Sequence, residues 1–179
     1  MTKFTTKLMR PGGPDKGAPW IFLNVPQDAS EKLPSRGMVA VEGVFNGAPF
    51  LAVVEPDGQG GHWLKVDQKL QEIAKAKPGE EAELEIAPTK KDLEPEVPED
   101  LQQALDAAPE IAKKTWSATT AAARRDWVAW IISGKKAETR VKRVEVAISK
   151  MSAGSKRPCC FDKSGIYSKE FSAPIPEGE

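Results

Sequence analysis

The hydrophobic pattern changes period once along the chain. Up to about residue 88, apolar residues come in short runs or alternate with polar ones, as strands require. From residue 98 to about 153 they recur every three or four positions, as helices require. Phe4 to Arg10 alternates weakly and ends in Pro11-Gly12-Gly13-Pro14-Asp15, a turn cluster that no strand crosses. Trp20 to Val25 is an almost unbroken apolar run stopped by Pro26, and polar residues 27–36 read as a loop. Met38–Phe45 and Phe50–Val54 flank Asn46-Gly47, a pair that tolerates positive φ at both central positions of a type I′ turn, so a β-hairpin is expected. After the turn-rich Glu55–Gly61, His62–Val66 is extended. Asp67 then stands as the cap of a short helix carrying Leu70, Ile73 and Ala74, stopped at Pro78-Gly79. Ala82–Ala87 alternates acids with apolar residues, which gives a sixth strand.

Six short strands leave exposed edges unless the sheet closes, so the first part is expected to be a small β-barrel with one short helix. In the second part, Pro98 opens a helix with Leu101, Ala104, Leu105 and Ala108 on one face. Pro109 breaks it before Ile111, Ala112 and Trp116. Thr120 is placed to cap a helix whose stripe is Ala123, Trp127, Trp130 and Ile131, with Gly134 where a left-handed C-terminal residue belongs. The last helix runs from about Ala137 to Met151 with Val141, Val144, Ile148 and Met151 inward, and Gly154 lies beyond it. The expected class is α+β: a barrel over 1–88, a proline-rich linker over 89–97, a helical module over 98–157 and an extended or disordered tail over 158–179.

Charge changes this picture. The chain has 26 Lys+Arg and 26 Asp+Glu, so its formal net charge is zero, yet residues 79–106 hold 10 acids against 2 bases and residues 107–157 hold 12 bases against 4 acids. Either the acidic stretch lies along the basic helices, or Arg124, Arg125, Arg140 and Arg143 are left to an anionic partner. The zero balance disfavours a dedicated nucleic-acid protein, which is usually basic overall. Hydrophobic residues make up 40%, and no apolar stretch approaches the ~18 residues of a membrane span. With no secretory signal at the start and only the adjacent Cys159 and Cys160, the reading is a cytoplasmic protein without a disulfide framework.

Chemistry is sparse. One His and one vicinal Cys pair fall short of a structural zinc set, so no metal or other cofactor is expected. Any nucleophilic triad would have to use His62, and no Gly-x-Ser-x-Gly turn or phosphate-cradling glycine loop occurs. The grouping that stands out is Trp20, Phe22, His62 and Trp63 beside a glycine-rich loop, which reads either as a small-ligand pocket or as barrel core.

Three segments resemble a known family. Pro98-Glu99-Asp100-Leu101-x-x-Ala104-Leu105, Thr120-x-x-x-Arg124-Arg125-Asp126-Trp127-Val128-x-Trp130-Ile131 and Lys136-x-Glu138-Thr139-Arg140-x-x-Arg143 are similar to the bacteriocin-protection, YdeI or OmpD-associated family. Ala122 and Ala137 stand where that family usually has serine and proline. Trp20-x-Phe22-Leu23-x-Val25-Pro26, Val41-x-Gly43-x-x-Asn46-Gly47-x-Pro49-Phe50 and His62-x-Leu64-x-Val66 look like the uncharacterised β-domain often fused ahead of it. The resemblance implies a small barrel joined to a helical module, a bacterial source and a link to envelope stress or antimicrobial-peptide tolerance. It implies no catalytic residues. The functional expectation is a binding or adaptor protein, more readily than an enzyme, with a protein partner on the four arginines and a small ligand near the barrel aromatics. A nucleic-acid-binding regulator and an enzyme centred on His62 are the alternatives.

Overall fold

A computed structural model describes residues 1–91, 93–158 and 161–178. The chain forms two compact units: Met1–Lys91 with Asp162–Glu179, and Asp92–Phe161. Residues 162–178 therefore belong with the barrel, and the helical unit is inserted between two parts of the first.

In the first unit the strands are β1 (Thr2–Lys7), β2 (Ile21–Val25), β3 (Val39–Phe45), β4 (Ala48–Pro56), β5 (His62–Val66) and β6 (Glu81–Pro88). They form one antiparallel sheet in the order β1-β6-β3-β4-β5-β2. The two end strands come together where Met9 and Phe22 exchange both backbone hydrogen bonds, each 2.9 Å, and the Thr6 hydroxyl donates to the Asn24 carbonyl at 3.1 Å. The sheet is thus a nearly closed barrel. The hairpin forms as expected, with Asn46 at φ 49° and Gly47 at φ 84°, the positive pair that a type I′ turn demands. Gly43 is required for a different reason: a Cβ there would strike the Glu85 carbonyl of the adjoining β6.

The core is the set of inward residues from every strand, including Leu23, Val41, Phe45, Leu64 and Leu84, each at most 2% exposed. Phe45 meets Phe50 edge to face at 5.6 Å. Helix α2 (Gln68–Ala74) starts where the Asp67 carboxylate accepts the Leu70 N–H at 2.8 Å. The loop expected at 27–36 instead begins with one helical turn, α1 (Gln27–Glu31), started at Pro26 and burying Ala29 and Ser30. A single turn is too short to display a 3.6-residue period, so no pattern announced it.

The second unit contains α3 (Glu99–Asp106), α4 (Glu110–Ala118), α5 (Ala121–Ile132) and α6 (Ala137–Ser152). Helix α6 packs against the other three around Leu101, Ala112, Trp127, Ile131, Ala147 and Met151. Thr120 caps α5 by accepting the Ala123 N–H at 3.1 Å. Three details differ from the sequence reading. Gly134 is not left-handed, because the end of α5 is closed by side chains: Ser133 Oγ and Arg143 Nη1 both donate to the Trp130 carbonyl, at 2.8 and 2.7 Å. Val141 is 59% exposed and Ile111 54% exposed, outside the core. Stepping by three turns a helix about 300°, so a stripe traced back from Val144 to Val141 drifts off centre. The Cys159–Cys160 pair lies outside the described residues.

Candidate functional site

Of the four barrel residues singled out from the sequence, Trp20, Phe22 and Trp63 gather and His62 stands apart. Alternation along β5 puts His62 on one face with buried Leu64 and Val66, and Trp63 and Lys65 on the other. Trp63 joins Trp20 and Phe22 there, with centroids 6.3 Å from each and 6.5 Å between Trp20 and Phe22. Lys65 Nζ sits 5.1 Å from the Trp20 ring centroid, a cation–π contact. Glu55 lies directly across the ladder from Trp63, and burial raises its carboxyl to about 7, against a smaller downward pull from Lys65.

His62 is 1% exposed and belongs to an interior network instead. Its Nε2 faces the Gly37 carbonyl at 2.9 Å and must donate to it, so Nδ1 accepts from the Ser30 hydroxyl at 2.6 Å. Arg36 closes the network, donating to the carbonyls of Ser30 at 2.7 Å, Leu33 at 2.8 Å and Gly60 at 2.9 Å. Burial lowers the His62 pKa against an upward pull from the hydrogen bond to Gly37, and the neighbouring Arg36 charge adds to the lowering, which favours the neutral ring. A serine and a histidine at this distance suggest a nucleophile and its base. Both are sealed from solvent, however, and both imidazole nitrogens are engaged. The geometry is that of an internal brace tying α1, the 33–37 segment and the start of β5. Ser30 and Arg36 carried no motif; they lie in the polar stretch that read as loop.

The arginines of the helical unit are braces too. Arg124 is held by Glu94 at 2.8 Å through Nε and by the carbonyls of Trp116 and Thr119 at 3.0 and 2.6 Å. Arg125 donates to the Leu93 carbonyl at 2.6 Å, and Arg140 to Asp100 at 2.7 and 3.2 Å. Arg143 donates to the Trp130 carbonyl and the Ser133 hydroxyl, both at 2.7 Å, with its guanidinium 5.3 Å from the Trp130 ring centroid. These hydrogen bonds hold the Glu94 and Asp100 carboxyls below the usual carboxylate range and lift Arg140 above its own. Within the acidic stretch, Glu94 and Asp100 pair with arginines of the helical unit, whereas Glu80, Glu81, Glu83 and Glu85 belong to the barrel unit.

The first unit also has an open groove of about 800 Å³ on the outer side of β3 and β4, walled by α2. Val44, Leu51, Val53 and Ile73 make it apolar, and Lys65, Lys69 and Lys91 stand around it. Lys91 is paired with Glu42 at 3.0 Å, and Asp67 is occupied in capping α2. Lys69 has no ion-pair partner among the described residues. The sequence offered no sign of this groove, because its residues come from five separate segments. Among the described residues no group of His, Cys, Asp and Glu is placed to hold a metal ion, and no helix is long and apolar enough to cross a membrane.

Residues 94–154 match the family model described as Bacteriocin-protection, YdeI or OmpD-Associated. Residues 4–86 match that of a domain of unknown function, DUF1905. Each match falls within one structural unit. No curated protein matches the chain.

Proposed function

From a chain that carries the YdeI/OmpD-associated helical domain behind a β-domain of unknown function, we propose a non-enzymatic bacterial binding protein, acting in the cytoplasm and serving antimicrobial or envelope-stress tolerance. Its receptive surface is the groove on the barrel, and its ligand is a small amphipathic anion. The observation that carries this reading is the groove's composition: an apolar lining through Leu51 and Ile73, 38% and 47% exposed, beside the unneutralised Lys69. Apolar side chains left facing solvent in a concave site favour an apolar ligand body, and the cation selects an anionic end. A protein partner on Arg124, Arg125, Arg140 and Arg143 draws less support, since their donors are directed into the helical unit. The nucleic-acid alternative is weaker for the same reason, and because the helical unit as a whole holds 12 bases against 10 acids. An enzyme centred on His62 would need an opening that the brace does not leave.

The test is a titration of the full chain with dodecanoate, followed by amide NMR. Shifts at residues 42–53 and 65–73, weakened in Lys69→Glu, are expected. Absence of shifts there, or equal shifts in Lys69→Glu, overturns the proposal.

A further inference from the structure

Residues 162–178 belong to the first unit, and none of them lines the groove. Close to its end the segment meets the turn after β1. The Gly12 N–H donates to the Ile175 carbonyl at 2.6 Å and the Glu177 N–H donates to the Arg10 carbonyl at 2.9 Å, on either side of the facing pair Pro11 and Pro176. In an antiparallel ladder this is the pair whose own N–H groups are not used, so two prolines fit where they cost nothing. The Gly12 carbonyl, which would accept the next ladder bond, instead accepts the Asp15 N–H at 3.2 Å, and the clasp stops at two bonds.

The surface is shaped to receive a backbone. A Cβ on Gly12 would come within 2.8 Å of the Pro176 oxygen and 2.9 Å of the Glu177 Cα. At Gly58, with φ +80°, the Phe171 carbonyl occupies the place of a Cβ. Yet the occupant is lightly held: Ile175 is 49% exposed, and Ser172 and Glu177 are exposed. A narrow backbone seat, a two-bond clasp and an exposed occupant are the features of peptide addition to a sheet edge, here filled by the chain itself.

We propose that the Arg10–Gly12 edge is a recognition site for an extended, proline-containing peptide. In the resting chain its own Ile175-Pro176-Glu177 fills the site, and a partner protein's segment of the same chemistry replaces it. Recognition is through main-chain bonds, so the partner must supply a carbonyl, then a residue that needs no N–H, then an N–H donor. The tethered segment competes at high effective concentration, which keeps the site closed to weak ligands.

The experiment uses the full chain and a fluorescent peptide with the sequence of residues 172–178. Glu177→Pro removes the donor to Arg10 and so weakens the resident segment. The peptide should bind this variant at least about tenfold more tightly than wild type, because the competing tether is loosened. Adding Gly12→Val to Glu177→Pro should abolish binding. In wild type, excess peptide should also speed hydrogen exchange at the Glu177 amide while the Met9 and Phe22 amides stay protected. Equal affinity for wild type and Glu177→Pro, binding that survives Gly12→Val, or unchanged exchange at Glu177 overturns the proposal.

Discussion

Replacing His62 by alanine tests whether the sealed Ser30–His62–Gly37 network is a brace. The change removes two buried hydrogen bonds, at 2.6 and 2.9 Å, and strands the Gly37 carbonyl. Each bond contributes roughly 1 kcal/mol net, and an orphaned buried acceptor costs about 1–3 kcal/mol. The expected loss is about 3–5 kcal/mol, before any relaxation of the space left by the ring. Equilibrium urea unfolding, followed by hydrogen exchange at the β5 amides, measures it. A companion pH series fixes the sign. The folded ring has its pKa below the ordinary 6.5, so the unfolded chain binds the extra proton first. The stability that His62 contributes is complete above about pH 6.5 and is lost as pH falls through the lower folded value. His62→Ala should flatten that acid limb. A loss below about 1 kcal/mol, or an unchanged limb, would refute the brace.

Three further outcomes are expected. Glu55 shows the opposite pH dependence. Its carboxyl is raised from 4.5 to about 7, so the stability of its neutral form is complete below 4.5 and lost as pH rises through 7; Glu55→Gln should abolish that loss in a thermal-denaturation series. Gly43→Ala should weaken the β3–β6 pairing, because the new methyl meets the Glu85 carbonyl; faster hydrogen exchange along β6 reports it, and wild-type exchange would contradict it. Arg143→Ala should destabilise the helical unit by about 2 kcal/mol, since hydrogen bonds from a charged donor are lost at the α5 terminus; a denaturation midpoint within error of wild type would count against it.

Much of the architecture was readable because it rests on local rules. Asn46-Gly47 fixed its hairpin, Asp67 and Thr120 capped the helices expected of them, and the change of period divided strands from helices. What escaped depends on tertiary context. Gly134 read as a left-handed terminus because the sequence could not show that Arg143, nine residues on, already satisfies the carbonyl. Trp20, Phe22 and Trp63 do gather, but the strand's two-residue alternation turns His62 to the opposite face from its neighbour. Ser30 and Glu55 were invisible because their roles come from His62, 32 residues on, and from burial, and Arg36 because the carbonyls it ties together, Ser30, Leu33 and Gly60, meet only in the folded chain. The arginines were correctly placed on the helices, but their partners Glu94 and Asp100 lie 30 and 40 residues upstream.

The proposed receptive surface lies on the barrel rather than on the arginines, and native mass spectrometry of the full chain with dodecanoate tests that assignment side by side. A ligand-bound peak should persist in Arg140→Glu, which breaks only the tie to Asp100, and disappear in Leu51→Glu, which puts an acid into the groove. Loss of the peak in Arg140→Glu with retention in Leu51→Glu would contradict the account.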